Sequence, residues 1–285
     1  MMEFEAESNK ELPKTIYKNK FSRLMLVIVL ALLLLVGIST LIGYNVAYQP
    51  YIQHMQSTAT VKARIQQTAQ AKSTYAAQVS ATLIAQTRAT ATFVARHQNN
   101  YDQITSTFPD INDDLHNPDT YNWDTGSGCS FTNSTYNASV AEKGFFLPCL
   151  AQNTKLSNFV YQVDMKIITG DAGGLIIRAR EANLQSYIFV AGQDGSYSIY
   201  YYSGENKKAA QTLVDGYSDQ IITGYKQVNT LAVLASGSSL DFYINKKYVA
   251  SAIDTTLSSG QIGVLANNYK RSTVVTYSHA RIWKL

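Results

Sequence analysis

The chain has 285 residues, a net charge of +4 and two cysteines, and its charge is unevenly distributed. Ten Lys and Arg residues lie between Lys10 and Arg96, whereas the 14 basic and 16 acidic residues from Asp102 onward nearly balance. No basic cluster with interleaved aromatic residues occurs, and neither cysteine has a CxxC partner or nearby histidines, so the composition argues against nucleic-acid binding and against a zinc site.

The first part of the chain predicts a membrane anchor. Residues 1–23 are polar and charged, which predicts a disordered cytoplasmic tail. Residues 24–46 follow, and they begin with the uncharged run LMLVIVLALLLLVGISTLIGY. Because about 20 apolar residues in a helix cross the hydrocarbon core of a bilayer, this run predicts a transmembrane helix.

The charges on either side of this run predict its direction. Lys14, Lys18, Lys20 and Arg23 precede it, and the next basic residue is Lys62. Positive residues stay on the cytoplasmic side, so we expect a single-pass protein of the cell membrane whose C-terminal part is extracellular. A cleaved signal peptide is the alternative, but the apolar run exceeds the usual length for one and no A-x-A cleavage site follows, which favours an uncleaved anchor.

Residues 47–100 are rich in Ala, Thr and Gln, and the part from Tyr51 to Gln98 has neither glycine nor proline. This composition predicts a helical stalk. Larger apolar residues recur at spacings of four and three along a weak seam: Val61, Ile65, Tyr75, Val79 and Phe93. The seam allows a parallel coiled coil, and hence a homo-oligomer, while an isolated helix or a disordered spacer fits the composition equally well. In each interpretation the stalk has the same role: it sets the distance between the membrane and the C-terminal domain.

The pattern from Phe159 onward is that of strands. Apolar and polar residues alternate in FVYQVDMKII (Phe159–Ile168). Turn signals then return about every eight to twelve residues, the spacing typical of sandwiches. About ten short strands with no helical pattern predict an antiparallel sandwich within residues 101–285.

Three segments carry a family resemblance: Gly173–Arg180, Val190–Tyr202 and Leu240–Ala266. The last, LDFYINKKYVASAIDTTLSSGQIGVLA, resembles the late hairpin and following strand of concanavalin A-like (laminin-G-like) jelly rolls. The others resemble central strands of that superfamily, including its 3-keto-disaccharide hydrolase-like branch. The upstream segment ending near Leu150 resembles the lead-in of membrane-anchored bacterial members. The resemblance implies an all-β jelly roll, with one departure: Lys246 replaces the usual hairpin glycine, so we expect a turn there that is looser or differently shaped.

Nineteen residues separate Cys129 from Cys149. In an oxidising compartment such a pair predicts a disulfide, so this expectation depends on the membrane topology. Two unrelated buried thiols are the alternative.

Catalysis is an alternative that the acidic residues support poorly. Glycoside cleavage needs two carboxylates about 5–10 Å apart. The glucanases of the superfamily carry them on one strand as Glu-x-Asp-x-x-Glu, whereas none of Glu142, Glu181 and Glu205 has an acidic partner at such a spacing. A pair formed only in space, such as Asp171 with Asp194, keeps a glycoside-cleaving enzyme as the second hypothesis.

No cofactor is predicted, and calcium is a weaker alternative. Some members of the superfamily bind calcium through loop aspartates, and four aspartates lie in predicted turn regions: Asp171, Asp215, Asp219 and Asp254. Aspartate is also common in turns for local reasons, because its side chain bonds nearby backbone N–H groups.

Carbohydrate binding is the function that the sequence favours. Sugar sites combine aromatic faces with a few polar groups. By alternation Tyr200 and Tyr202 share one face of a strand, and Arg178 and Arg180 share a face of a neighbouring strand. The resemblance implies that the arginine matching Arg178 points to the concave, ligand-facing sheet.

These four residues are therefore the predicted ligand site of a module for carbohydrate or surface glycan. Two alternatives stay open. The tyrosines could pack in the sandwich while the arginines pair on the surface. The whole protein could instead be structural, with the sandwich capping an oligomeric stalk.

Overall fold

The computed structural model describes residues 20–118, 121–180, 185–204 and 210–285. The chain divides into two compact units, Met1–Ile84 and Ala85–Leu285. The predicted cytoplasmic tail lies outside the described residues, apart from its last few.

The helical part has three consecutive segments. Helix α1 spans Lys20–Gly43, a π-helical segment spans Tyr44–Tyr48, and helix α2 spans Gln49–Thr105. The described residues contain one helix long and apolar enough to cross a membrane, with a mean hydropathy of 3.0 in its most apolar stretch. Its leucines and isoleucines are exposed.

The residues of the predicted stalk seam have two different environments. Val61, Ile65, Tyr75 and Val79 are exposed, and a coiled coil through them stays a prediction. Phe93, in contrast, belongs to the second unit and contacts rings of its own chain. Its centroid lies 4.2 Å from that of His97 and 6.1 Å from that of Tyr248.

The described residues of the second unit form fourteen strands after the end of α2. The strands are β1 (Ile111–Asp113), β2 (Cys129–Thr132), β3 (Thr135–Val140), β4 (Phe145–Leu150), β5 (Phe159–Thr169), β6 (Ala172–Ala179), β7 (Ser186–Gly192), β8 (Ser196–Tyr202), β9 (Ala210–Tyr217), β10 (Val228–Ser236), β11 (Ser239–Ile244), β12 (Lys247–Ile253), β13 (Gln261–Asn268) and β14 (Thr273–Lys284).

These strands form two antiparallel sheets. The eight-stranded sheet has the order β12-β11-β10-β5-β14-β3-β2, with β1 paired to β14. The six-stranded sheet has the order β4-β13-β6-β7-β8-β9. The predicted fold class, an all-β jelly-roll sandwich preceded by a long helix, is confirmed.

The alternation in β5 shows how the sequence forms the core. Tyr161, Val163 and Met165 face the other sheet and are buried there, as their spacing predicts. The opposite face is polar in sequence, yet Gln162 is also buried. Its side chain accepts a hydrogen bond of 2.7 Å from the Tyr101 hydroxyl, because the end of α2 packs on this outer face.

The end of α2 is held on the eight-stranded sheet by rings and hydrogen bonds. Tyr101 stacks on Tyr243 with centroids 4.1 Å apart. His97 Nδ1 lies 2.8 Å from a carboxylate oxygen of Asp241. Gln98 accepts from the backbone N–H of Tyr248 at 2.8 Å. The helix therefore extends to Thr105, past the predicted stalk boundary at residue 100, because its last turns pack on the sandwich.

The hairpin between β11 and β12 differs from its sequence-based expectation. Only Asn245 and Lys246 separate the two strands, so the turn is tight rather than loose. Both residues have positive φ, 49° and 65°, which suits a two-residue hairpin turn although lysine adopts that conformation less readily than glycine. The carbonyl of Lys246 accepts a hydrogen bond of 2.8 Å from Gln98 Nε2, so the turn also contacts the helix.

The two cysteines form a disulfide with an S–S distance of 2.03 Å, as predicted. Cys129 lies on β2, at one edge of the eight-stranded sheet, and Cys149 lies on β4, at one edge of the six-stranded sheet. The bond therefore joins the two sheets along one side of the sandwich.

Candidate functional site

The outer face of the six-stranded sheet carries a second apolar layer. Ile176 on β6, Ile188 on β7 and Leu265 on β13 point away from the inter-sheet core and belong to a separate cluster. All three are at most 1% exposed. Since α2 packs on the other sheet, side chains of this sheet itself must cover them.

A contact between two distant strands shows how this cover arises. Phe146 on β4 and Tyr202 on β8 meet edge to face, with ring centroids 5.1 Å apart. Three strands lie between β4 and β8, so in a flat sheet the two strands would be about 19 Å apart, farther than the side chains reach. The sheet is therefore curved, and we call its outer surface the concave face.

The concave face contains a cavity of about 560 Å³, here called the aromatic cavity. Its walls include four rings, those of Phe146, Tyr200, Tyr202 and Tyr269. Its polar groups include the side chains of Ser198, Thr212 and Asn267. No described residue that lines it carries a charge, which makes the cavity suited to a neutral ligand with apolar faces and hydroxyl groups.

Tyr200 is the most deeply placed of these rings, at 9% exposure. Burial, with smaller contributions from Tyr269 and Tyr202, raises the pKa of its phenol well above the ordinary value. The hydroxyl therefore stays protonated at neutral pH, so it can both donate and accept a hydrogen bond.

Two of the four predicted site residues, Tyr200 and Tyr202, share this cavity, but Arg178 does not. Its side chain is 0% exposed and reaches into the sandwich interior. Nε and Nη2 donate to the carbonyl of Ser157 at 3.0 and 2.6 Å, and Nη1 donates to the carbonyls of Gly237 and Leu257, both at 2.9 Å. The expectation that Arg178 faces a ligand is corrected: its donors hold three loops together.

A β-bulge explains this correction. Gly263 pairs with Ile176, but Gln261 pairs with Ala179, so β6 has one residue more than β13 over this stretch. Arg178 lies in the bulge with φ of 53°. The extra residue interrupts the alternation from which its direction was predicted. Arg180 beyond the bulge is exposed, and it lines a different cavity on the same sheet.

The remaining residues of the aromatic cavity were not predicted. Phe146 and Asn267 form a cross-strand pair on β4 and β13, and Tyr269 follows β13 directly. The alternation within FFLPCL places Phe146 and Pro148 on one face, but which face is concave depends on the curvature of the whole sheet. No local signal in the sequence distinguishes the two faces.

The acidic pair left open by the sequence does not resemble a catalytic pair. Burial opposes ionisation of Asp171, but hydrogen bonds from the backbone N–H groups of Lys270 and Arg271 outweigh it and lower the pKa. A hydrogen bond from the Ser196 hydroxyl lowers the pKa of Asp194. A general acid requires a raised pKa, so neither carboxyl is protonated for that role at neutral pH. Glu142 is exposed, and Glu181 and Glu205 lie outside the described residues.

Three of the four aspartates considered for calcium, Asp171, Asp219 and Asp254, have local hydrogen-bond partners. Asp254 accepts from the Tyr187 hydroxyl at 2.6 Å and from the backbone N–H of Thr256 at 2.7 Å. Asp219 accepts from the side chain of Gln220. Among the residues that the structure describes, no three His, Cys, Asp or Glu side chains gather in the way that a metal ion requires. Asp171 and Asp254 connect neighbouring loops instead.

The comparisons with known proteins find similar solved structures but no matching family. No protein-family model matches the chain. No curated protein matches it either. Similar solved structures include a carbohydrate-binding module, CBM66 from Bacillus subtilis, at 18% identity and a TM-score of 0.48 over 57% of this chain and 95% of that one.

Two further structures have the same kind of fold. A protein of unknown function with a galectin-like fold from Bacillus subtilis is 10% identical, with a TM-score of 0.49 over 62% of this chain and 96% of that one. A β-glucanase from Bacillus licheniformis is 12% identical, with a TM-score of 0.44 over 63% and 100%. Sequence identities this low say nothing about family or function. The relationships of this chain to the 3-keto-disaccharide hydrolase-like branch and to laminin-G-like domains therefore stay predictions.

Proposed function

We propose that the protein is a single-pass membrane protein that presents a carbohydrate-binding sandwich outside the cell. The observation that carries the proposal is the aromatic cavity on the concave face. It brings four aromatic rings, hydroxyl groups and one amide together at a place that the rest of the described chain leaves accessible.

These groups match the chemistry of a sugar ring. The C–H faces of a sugar are apolar and pack on aromatic rings such as that of Tyr202, while its hydroxyls need donors and acceptors such as Asn267 and the Tyr200 phenol. A cavity of about 560 Å³ falls within the range of small-molecule sites. Because the described residues of its lining are uncharged, a neutral sugar is the expected occupant.

The proposed organisation follows the segments predicted from the sequence. Residues 1–23 form the cytoplasmic tail, residues 24–46 the membrane helix, residues 47–100 the stalk and residues 101–285 the binding domain. The apolar helix and the basic residues before it support this arrangement. The stalk would serve as the spacer between the membrane and the binding domain.

The topology is tested by tagging the two ends of the full-length protein in a bacterial host with a single membrane. Protease added to intact cells should remove a C-terminal epitope, whereas an N-terminal epitope should be digested only after the cells are lysed. Protection of the C-terminal epitope in intact cells would contradict the proposed direction. Western blotting against each epitope measures the outcome.

Removing one ring tests the binding site. The full-length protein in detergent is first screened on a glycan array, and the affinity for a bound glycan is then measured by calorimetry. Tyr202→Ala should lower that affinity roughly tenfold, because a stacking face is lost. Tyr202→Phe should retain most of the affinity, since the ring remains.

Tyr217→Ala is the matched control, because Tyr217 is 79% exposed on β9 and does not line the cavity. It should bind as the wild type does. The proposal fails if the folded wild-type protein binds no glycan. It also fails if Tyr202→Ala and Tyr217→Ala have equal affinities.

A further inference from the structure

The concave face holds a second cavity that differs from the first in charge. Alternate residues of β13 point to this face, from Asn267 through Leu265 to Gln261. Asn267 lines the aromatic cavity, whereas Gln261 lines the second one. The two residues are six positions apart along the strand, which is roughly 20 Å. The two cavities therefore lie towards opposite ends of one surface.

The second cavity, here called the amide-cation cavity, has a volume of about 550 Å³. Its lining residues are Gln152, Asn153, Thr154, Lys155, Ala179, Arg180, Ser259, Gly260 and Gln261. Both charged side chains among them are cationic and exposed, those of Lys155 and Arg180. The described lining includes no aromatic residue, so this cavity offers charge and amides where the other offers rings.

The amides in its wall are held in place by a hydrogen-bonded chain. Gln152 Nε2 donates to Asp124 Oδ1 at 2.7 Å, and Gln152 Oε1 in turn accepts from Gln261 Nε2 at 3.0 Å. These bonds orient the amide of Gln261, which is 8% exposed. Its Oε1 has no hydrogen-bond partner among the described residues. This oxygen is itself buried, so the chain of hydrogen bonds fixes the wall of the cavity, and the exposed side chains of Asn153, Lys155 and Arg180 are the groups that a ligand can contact.

The cationic side is also partly ordered. The backbone N–H of Arg180 donates to the carbonyl of Gln185 at 2.9 Å, and its Nη1 donates to the side-chain oxygen of Gln185 at 3.1 Å. A guanidinium forms paired hydrogen bonds to carboxylate or phosphate oxygens, and a nearby ammonium adds a second positive charge. The chemistry of this cavity therefore favours an anion on a molecule that also carries hydroxyls.

We propose that the amide-cation cavity is a second subsite, which binds the anionic group of an acidic polysaccharide whose neutral sugar occupies the aromatic cavity. The inference rests on the proposed carbohydrate-binding function and adds the class of ligand. The separation of roughly 20 Å along β13 requires a chain of several sugar units rather than a single sugar.

The test compares acidic and neutral polymers with the full-length protein in detergent. The probes are hyaluronan, in which a carboxylate-bearing sugar alternates with a neutral one, glucose-substituted poly(glycerol phosphate), which carries phosphates and neutral sugars, and a neutral glucan. The double variant Lys155→Gln/Arg180→Gln should lose roughly tenfold in affinity for the acidic polymer that the wild type binds, with affinity for neutral glycans unchanged. The carboxylate and phosphate arms show which anion the subsite prefers.

The control is Lys247→Gln/Lys284→Gln, which removes two exposed positive charges from the eight-stranded sheet. Equal loss of acidic-polymer binding in both double variants would overturn the second subsite, since general attraction between charges would then explain the binding. Unchanged binding in Lys155→Gln/Arg180→Gln would overturn it as well. In either case neutral-glycan binding that depends on Tyr202 would leave the proposed function standing, whereas loss of all glycan binding by the wild type would remove both.

Discussion

Arg178→Met should lower the free energy of unfolding of the sandwich by about 3–5 kcal/mol. The wild-type guanidinium is fully buried and donates four hydrogen bonds to three backbone carbonyls, those of Ser157, Gly237 and Leu257. Methionine fills much of the same volume but donates nothing. The carbonyl of Leu257 would then remain buried without a donor, at a cost of about 1–3 kcal/mol, whereas the carbonyls of the exposed residues Ser157 and Gly237 would exchange a bond to a charged donor for one to water.

The measurement is urea unfolding of the full-length protein in detergent, followed by tryptophan fluorescence. The two tryptophans, Trp123 and Trp283, are both buried in the sandwich, so the signal reports this unit alone. Arg178→Lys should also be destabilised, because the single ammonium group of lysine cannot reach all three carbonyls that the branched guanidinium group bonds. Arg180→Met is the control and should change stability by less than about 0.5 kcal/mol, since Arg180 is exposed. If Arg178→Met and Arg180→Met unfold at the same urea concentration, the hydrogen bonds of Arg178 contribute little to stability.

Removal of the disulfide should cost about 3 kcal/mol of unfolding free energy. The bond closes a loop with a sequence separation of 20 between Cys129 and Cys149. In the unfolded chain it removes conformations, and in the folded chain it joins the edge strands β2 and β4. Strand β4 also carries Phe146 of the aromatic cavity, so a looser edge should weaken glycan binding along with stability.

The double variant Cys129→Ser/Cys149→Ser is compared with the wild type in urea, with and without a reducing agent. The reduced wild type should unfold at nearly the same urea concentration as the double variant, and the oxidised wild type at a higher one. If the reducing agent leaves the wild-type midpoint unchanged while free-thiol titration shows full reduction, the bond is not a source of stability. The double variant should not respond to the reducing agent at all.

The placement of the last turns of α2 has a consequence for function. Tyr101 and its neighbours occupy the outer face of the eight-stranded sheet and bury Gln162 there. The six-stranded sheet keeps its outer face open, with both cavities on it. The helix end therefore covers part of the outer face of the eight-stranded sheet, and a further cavity lies beside it between residues such as Arg96 and Asp241.

The sequence by itself was sufficient for features that depend on local periodicity. An uncharged apolar run predicts the helix that could cross a membrane, and the absence of glycine and proline predicts the helix that follows it. Alternation with a period of two predicts the strands, including the buried face of β5 formed by Tyr161, Val163 and Met165. The pairing of the two cysteines also followed from the sequence, given the topology that the apolar run implies.

Only the tertiary structure decided which side chains meet on the concave face. The bulge in β6 directs the side chain of Arg178 into the interior. Alternation along β6 could not predict this direction, because a bulge depends on how a strand pairs with its neighbour. The curvature of the six-stranded sheet brings Phe146 against Tyr202 across three strands. The same sheet places Arg180 in a cavity apart from the tyrosines. Curvature and bulges depend on contacts between residues far apart in the chain, so no local pattern could predict them.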